Sequence, residues 1–190
     1  MMRVIAGKAR RIQLVTPRGS DTRPTTDRIK ETLFNILAPD LYDARFLDLF
    51  AGCGGIGIEA LSRGALEAVF VENGREAIAC IKENLRKTRL FTQAQVIECD
   101  VIAALRRLET GGKPFDIIFM DPPYEAGYYE KVLSQLASGH LADEDTLIIA
   151  ETLIGEDLSF AESLGFEINR EKEYKTNKHV FLRRKQKEEE

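Results

Sequence analysis

The stretch Phe46–Leu61, FLDLFAGCGGIGIEAL, runs from an apolar segment through four glycines into a helix-like pattern. Gly52, Gly54 and Gly57 satisfy the spacing G-x-G-x-x-G in the strand–loop–helix setting that gives the motif meaning. Glycines there make the turn tight and let backbone approach a ligand closely. By itself the loop leaves three readings open: a plain tight turn, a dinucleotide oxidoreductase, or another nucleoside site.

The surrounding chain decides the fold class. Strands read at Phe46–Phe50, Ala68–Glu72, Gln95–Cys99, Phe115–Met120 and Thr146–Glu151, and helices at Ile56–Arg63, Arg75–Leu90, Val101–Leu108, Tyr128–Ser138 and Leu158–Leu164. Gly64, Gly139 and Gly165 fall where helix C-caps are expected. Strands alternating with helices mean right-handed βαβ units, hence an α/β fold with a mostly parallel sheet and helices on both faces. After Gly165 the helices cease. FEINREKEY and HVFLRR predict an antiparallel hairpin at one edge, for a sheet of about seven strands. Upstream, Val4-Ile5 and Ile12-Leu14 around AGKAR predict a basic β-hairpin. A helix is expected from Asp27, with Ile29, Leu33, Ile36 and Leu37 on one face and Pro39 as its stop. The domain reading is an arm and loop over residues 1–25, one domain over 26–184 and a disordered charged tail over 185–190, within RRKQKEEE.

Three carboxylates are predicted to gather at the carboxyl ends of the strands, where open α/β sheets bind ligands. Asp48 lies inside the first strand, four residues before Gly52, and a carboxylate there repels phosphate and attracts ammonium or sulfonium. Glu72 ends the second strand, placed to accept from a ribose diol. Asp100 follows the third, and two readings stand: an acceptor for an adenine amino group, or the N-cap of the helix beginning DVIAAL. One adenosine, no pyrophosphate and a positive sulfonium describe S-adenosyl-L-methionine better than NAD.

A second motif, FDIIFMDPPY (residues 115–124), ends a buried strand on a carboxylate, two prolines and a phenol. Pro122 and Pro123 cannot donate to a sheet ladder, so the strand stops there. An aromatic amine is a poor nucleophile because its lone pair is delocalised. Acceptors on both N–H bonds favour a pyramidal nitrogen. The Asp121 carboxylate can take one and the Pro122 carbonyl the other, with Pro123 holding that peptide extended. Tyr124 offers a face on which an unstacked base can rest.

Composition removes several alternatives. At 190 residues and 44% hydrophobic content the chain can bury one good core. No apolar run approaches the roughly 18 residues that span a bilayer, and MMRVIAGKARR has no signal-like apolar core, so a cytoplasmic protein without a membrane partner is expected. Cys53, Cys80 and Cys99 are too widely spaced for a disulfide framework or a zinc site. His140 and His179 are the only histidines, which leaves little for a histidine-rich metal centre, and no metal is expected. The net charge of −4 conceals residues 1–30, where eight basic side chains stand against two acidic ones. A basic arm on an acidic body suits a polyanionic partner, though a solvated basic hairpin is the alternative.

Asp48–Gly57, Glu72, Asp100 and DPPY together resemble the class I, Rossmann-like methyltransferase fold in its exocyclic-amino branch. More narrowly, MRVIAGKARRIQL…TRPTTDRIKETLFNIL followed by FLDLFAGCGGIGIEALSRGA is similar to the bacterial small-subunit ribosomal RNA guanine-N2 methyltransferase family, over residues 2 to about 184. The resemblance implies S-adenosyl-L-methionine held by Asp48, Ala51, Gly52, Cys53, Gly54, Gly57, Glu72, Asp100 and Val101. It implies catalysis at Asp121, Pro122 and Tyr124, and RNA contacts at Lys8, Arg10, Arg11, Arg23, Thr25 and Thr26, with the arm and its Thr-rich loop over the active-site face. The expected partner is 16S ribosomal RNA, within the small subunit or an assembly intermediate, with guanine 966 the suggested target and a monomer the expected state. Cys53 stands where a serine is common and reads as packing. YKTNKHVFL replaces a Gly-Asp-containing turn, so no role passes to Lys178 or His179; His140 reads as a residue just past a helix end. Two alternatives stay open: an adenine-N6 methyltransferase, since DPPY serves both amines, and a non-catalytic RNA-binding protein.

Overall fold

The computed structural model describes residues 2–17, 26–123 and 127–186. In chain order come α1 (Asp27–Leu41), β1 (Arg45–Leu49), α2 (Gly55–Ser62), β2 (Glu67–Glu72), α3 (Arg75–Thr88), β3 (Ala94–Glu98), α4 (Val101–Glu109), β4 (Ile117–Met120), α5 (Tyr128–Ser138), β5 (Leu147–Leu153), β6 (Phe166–Glu173) and β7 (Asn177–Arg184). The seven strands form one sheet in the order β3-β2-β1-β4-β5-β7-β6. The first five are parallel, and β7 runs antiparallel to both β5 and β6, as the hairpin reading requires. Strand order reverses between β1 and β4. That switch point opens a crevice beyond their carboxyl ends, where the glycine loop and Asp121 both lie.

Alternation along the strands divides the core. Phe46, Phe70, Ile117, Phe119, Ile149 and Phe181 pack towards α1 and α2, while Leu47, Leu49, Val69, Ile118, Met120 and Ile148 pack towards α4 and α5. Both faces are covered, which is why the strands read as near-continuous apolar runs. Each fully buried Phe or Leu contributes about 1.5–3 kcal/mol. The same period-2 rule puts Asp48, Glu72, Asp121, Glu151 and His179 on one face, the α1–α2 side, at one end of the sheet.

Several local readings shift. β4 begins at Ile117, two residues later than expected: Asp116 turns its carboxylate to the Arg45 amide (2.6 Å), and the Phe115 amide bonds the Leu141 carbonyl (2.9 Å). α1 continues through Pro39 to Leu41. The amide that proline lacks falls in the exposed last turn, and Leu37 and Leu41 stay buried on either side of it. Its buried face is Lys30, Leu33, Phe34, Leu37 and Leu41, with Ile29 and Ile36 at the margin. Ser159–Leu164 is a 3₁₀ helix instead of an α-helix, ended by Gly165 at φ 84°. Six residues cannot repay α-helix nucleation. Phe91–Gln93 forms a second 3₁₀ turn, after Arg89 (φ 60°) has stopped α3. Arg183 and Arg184 close β7, as the strand reading of HVFLRR expected, and Arg184 reaches the carbonyls of Leu136 and Ala137.

The N-terminal segment returns on itself antiparallel, but its ladder is a single bridge, Arg3 to Gln13. Val4 and Leu14 donate across it to Ile12 and Met2, but the amides leading into the turn are spent elsewhere. Ile5 and Ala6 donate to the Glu59 carboxylate at 2.8 and 3.0 Å, and Lys8 and Ala9 donate to the Ser62 carbonyl and hydroxyl. Glu59 is fully buried and also pairs with Lys30 (3.3 Å) and Arg63 (2.8 Å). Val4, Ala9 and Leu14 join the main core. Among the described residues no helix is long and apolar enough to cross a membrane.

Candidate active site

The glycine loop begins with a backbone reversal. Phe50 sits at φ 61°, a left-handed conformation that costs a bulky residue energy and marks a constrained junction. Gly52 (φ 56°) and Gly54 (φ 81°) continue the turn at positions where other residues would be strained. A side chain at Gly57 would meet the Phe70 ring at 2.4 Å, so glycine there permits α2 to lie close on the sheet. At Gly52 the space where a side chain would stand is open to 4 Å.

Two carboxylates build the loop. Asp48, 1% exposed, accepts from the Gly57 amide at 2.9 Å. Burial pushes its carboxyl up to about 7; the Gly57 bond opposes this and the Glu72 charge adds to it. Glu72 accepts from the Gly52 amide (2.8 Å) on one oxygen and from Asn73 (2.9 Å) and Gly74 (2.8 Å) on the other. Each oxygen carries two lone pairs, so Glu72 can shape the loop and still accept from a ligand. Asp100 caps α4 by accepting from the Ile102 amide at 2.9 Å, and it is exposed, which leaves its second oxygen accessible. Val101 and Ala51 are buried beside these groups. Cys53 is buried with its thiol pushed up to about 11, chiefly by burial, and its sulfur lies 3.3 Å from that of Met2. That thiol is packing.

Across the switch point, Asp121 follows β4. Its carboxyl is held well above the usual range, first by burial, then by the charges of Glu151 and Asp48. Pro122 is buried and Pro123 exposed. Among the described residues, Asp48, Glu72 and Asp121 have no basic side-chain partner. Burial thus makes the charges of Asp48 and Asp121 costly until a cation arrives. Tyr124, Arg23 and Thr25 lie outside the described residues.

Of the RNA-contact candidates, Lys8, Arg10 and Arg11 do not lie at this crevice. The turn bearing exposed Lys8, Arg10 and Arg11 rests on Ser62, at the end of α2 away from the glycine loop. An eight-residue helix separates the two ends by about 12 Å. Only the roots of the arm approach the loop: Met2 touches Gly55 and Cys53, and Asn84 bonds both Val15 and the Cys53 carbonyl. Thr26 caps α1, accepting from the Ile29 amide at 3.3 Å. His140 lies past the end of α5 and pairs with Glu109 at 2.7 Å.

Sequence reading missed Glu151 and His179. Glu151, near the carboxyl end of β5, accepts from Asn177 (2.6 Å) and lies 3.1 Å from His179 Nε2, while Tyr174 Oη lies 3.1 Å from Nδ1. The signal was available: Glu151 stands at a strand's carboxyl end as Glu72 and Asp121 do.

The family model described as Conserved hypothetical protein 95 matches residues 2–183. Over 149 residues the chain is 40% identical to ribosomal RNA small subunit methyltransferase D of Escherichia coli, covering 78% of this chain and 73% of that protein. The solved Escherichia coli protein yhhF superposes with a TM-score of 0.85 at 34% identity, covering 97% of this chain and 98% of that one. SMU.776, solved with S-adenosylhomocysteine, shares the fold at a TM-score of 0.67 and 16% identity, over 81% of this chain and 49% of its own.

Proposed function

The chain belongs to the Conserved hypothetical protein 95 family, and from that premise we propose that it methylates the exocyclic N2 amine of a guanine in 16S ribosomal RNA, using S-adenosyl-L-methionine. The coarser statement, a ribosomal RNA methyltransferase, follows from its kinship with the small-subunit methyltransferase D proteins. Guanine 966 as the target rests on the family resemblance alone.

The observation that carries the reading is the unpaired carboxylate crevice at the β1–β4 switch point. A cationic adenosine ligand fits it on three counts. Asp48 and Asp121 bear charges that a sulfonium or ammonium stabilises. Glu72 keeps acceptor capacity for a ribose diol. Gly52 leaves room for close approach of the ligand. When bound, S-adenosyl-L-methionine supplies an electrophilic methyl group.

The chain's own part is acceptance and exclusion. Asp121, ionised, accepts one amine N–H and the Pro122 carbonyl the other, freeing the nitrogen lone pair. Preorganised acceptors of this kind need no reorganisation at the transition state. Its raised carboxyl also suits Asp121 to receive the proton that the methylated nitrogen must shed. Asp48 and Glu72 hold the donor side, and Tyr124 supplies the stacking face.

Tritium transfer from labelled S-adenosyl-L-methionine to small ribosomal subunits, compared with naked 16S ribosomal RNA and with DNA, tests this. Label recovered from RNA as N2-methylguanosine supports the reading. Label in N6-methyladenosine, from RNA or DNA, points to the adenine-N6 alternative, and cofactor binding without transfer to either opposes both.

A further inference from the structure

We infer that Glu151 and His179 are positioning residues for Asp121: the imidazole anchors the Glu151 carboxylate, and that carboxylate stands as a like charge beside Asp121 when the amine arrives. This rests on the reading of Asp121 as the amine's acceptor.

Register brings the three together. Met120 pairs with Ala150, so Asp121 and Glu151 are the next neighbours across β4 and β5. Glu151 pairs directly with His179 across β5 and β7. Residues opposite one another in a sheet point to the same face, so one row crosses three strands at the rim of the crevice. His179 is fully buried and packs edge-on against Phe119, which lies two residues before Asp121. Burial on this scale is unusual for an imidazole touching a carboxylate, and it removes the solvent that would screen the pair.

The pair is held firmly. One Glu151 oxygen meets His179 Nε2 and the other takes the Asn177 amide, while the Glu151 carbonyl accepts the Tyr129 hydroxyl of α5 at 2.7 Å. On the far side of the ring, Nδ1 meets the Tyr174 hydroxyl, which can either donate or accept. The ring is thus held from both sides, and with it the Glu151 carboxylate, a like charge beside Asp121.

The other charged groups around the row are Asp48 of β1, Glu72 at the end of β2, Lys172 of β6, which stands opposite His179, and Arg170, which acts on Tyr174. Lys178 of β7 points to the opposite face and pairs with Glu171 at 2.9 Å. No other base among the described residues pairs with Glu151.

The test is a carboxyl-carbon NMR titration of the free protein, with Asp121 assigned by its loss in Asp121→Asn. Its midpoint should fall by about one pH unit in Glu151→Gln, the scale for removing one nearby like charge. His179→Gln, which can keep a donor on Glu151, should leave it near the wild-type value, and His179→Leu, which cannot, should raise it. Should His179→Leu not fold, Tyr174→Phe removes only the hydroxyl behind the ring and should give a smaller rise. The acidic limb of single-turnover methyl transfer should follow the midpoint in each variant, with the Michaelis constant for RNA unchanged. A midpoint that glutamine keeps and leucine moves cannot come from lost burial alone. An unmoved midpoint in Glu151→Gln overturns the inference whatever the RNA assay shows. Moved midpoints with a fixed activity limb overturn its link to transfer, whereas a wild-type protein inactive on RNA overturns the proposed reaction alone.

Discussion

Replacing Asp48 by asparagine should separate what this carboxyl costs the free protein from what it gains with a cation bound. Its ordinary value of 3.8 is raised to about 7 in the folded chain. At about 1.36 kcal/mol per decade, that displacement corresponds to roughly 4 kcal/mol. The sign follows from linkage. A raised folded value favours the folded state fully below pH 3.8, and this contribution is lost as pH rises through about 7. Asp48→Asn keeps an acceptor for the Gly57 amide but cannot ionise, so its stability relative to wild type should climb across that window, by up to roughly 4 kcal/mol, then level off. Cation binding works on the same equilibrium. At pH 7 the wild-type carboxyl is about half protonated, and a cation that restores its ordinary acidity expels about half a proton per site. Calorimetric titration with S-adenosyl-L-methionine in buffers of different ionisation enthalpy reads that number. The ligand's own ionisation cancels between wild type and variant. Asp48→Asn should bind more weakly and release about half a proton fewer. Equal proton release from the two proteins, or a stability difference that ignores pH, refutes the reasoning.

Asp121→Ala should cut turnover about 100-fold or more, the scale for one lost preorganised group, with a far smaller loss of cofactor affinity; activity within a few-fold of wild type removes it from the chemistry. Glu59→Gln should cost about 3–5 kcal/mol in chemical denaturation, because the buried charge of Lys30, 1% exposed, is left with only the Arg3 carbonyl. A loss below about 1 kcal/mol would mean that the carbonyl suffices for Lys30. Changing Lys8, Arg10 and Arg11 together to glutamine should raise the RNA Michaelis constant without altering cofactor binding. If all three contact phosphate, the log–log salt slope should flatten by about two to three units; an unchanged slope assigns that turn to solvent.

The parts of the fold that sequence made legible were those with short-range causes. Short apolar runs alternating with helical spacing placed all seven strands, and Gly52, Gly54 and Gly57 located the loop because each meets a local steric demand. Asp48, Glu72 and Asp121 were readable as a group because a strand's carboxyl end is a defined place in an open sheet. What escaped depended on distant partners. The arm's ladder shrank to one bridge because its amides found Glu59 and Ser62, more than fifty residues away in sequence. Lys8, Arg10 and Arg11 read as companions of the active site, yet docking on α2 carries them to its far end. Pro39 stayed within α1 because its missing amide falls in an exposed last turn. The Glu151–His179 pair exists only because β7 inserts beside β5, a pairing that no local pattern announces.

The most direct measurement is the identity of the methylated nucleoside. Small ribosomal subunits incubated with the protein and isotopically labelled S-adenosyl-L-methionine can be digested to nucleosides and resolved by mass spectrometry. The predicted product is N2-methylguanosine in 16S ribosomal RNA, abolished in Asp121→Ala. Label in N6-methyladenosine, or in no RNA nucleoside while the cofactor still binds, would contradict the account.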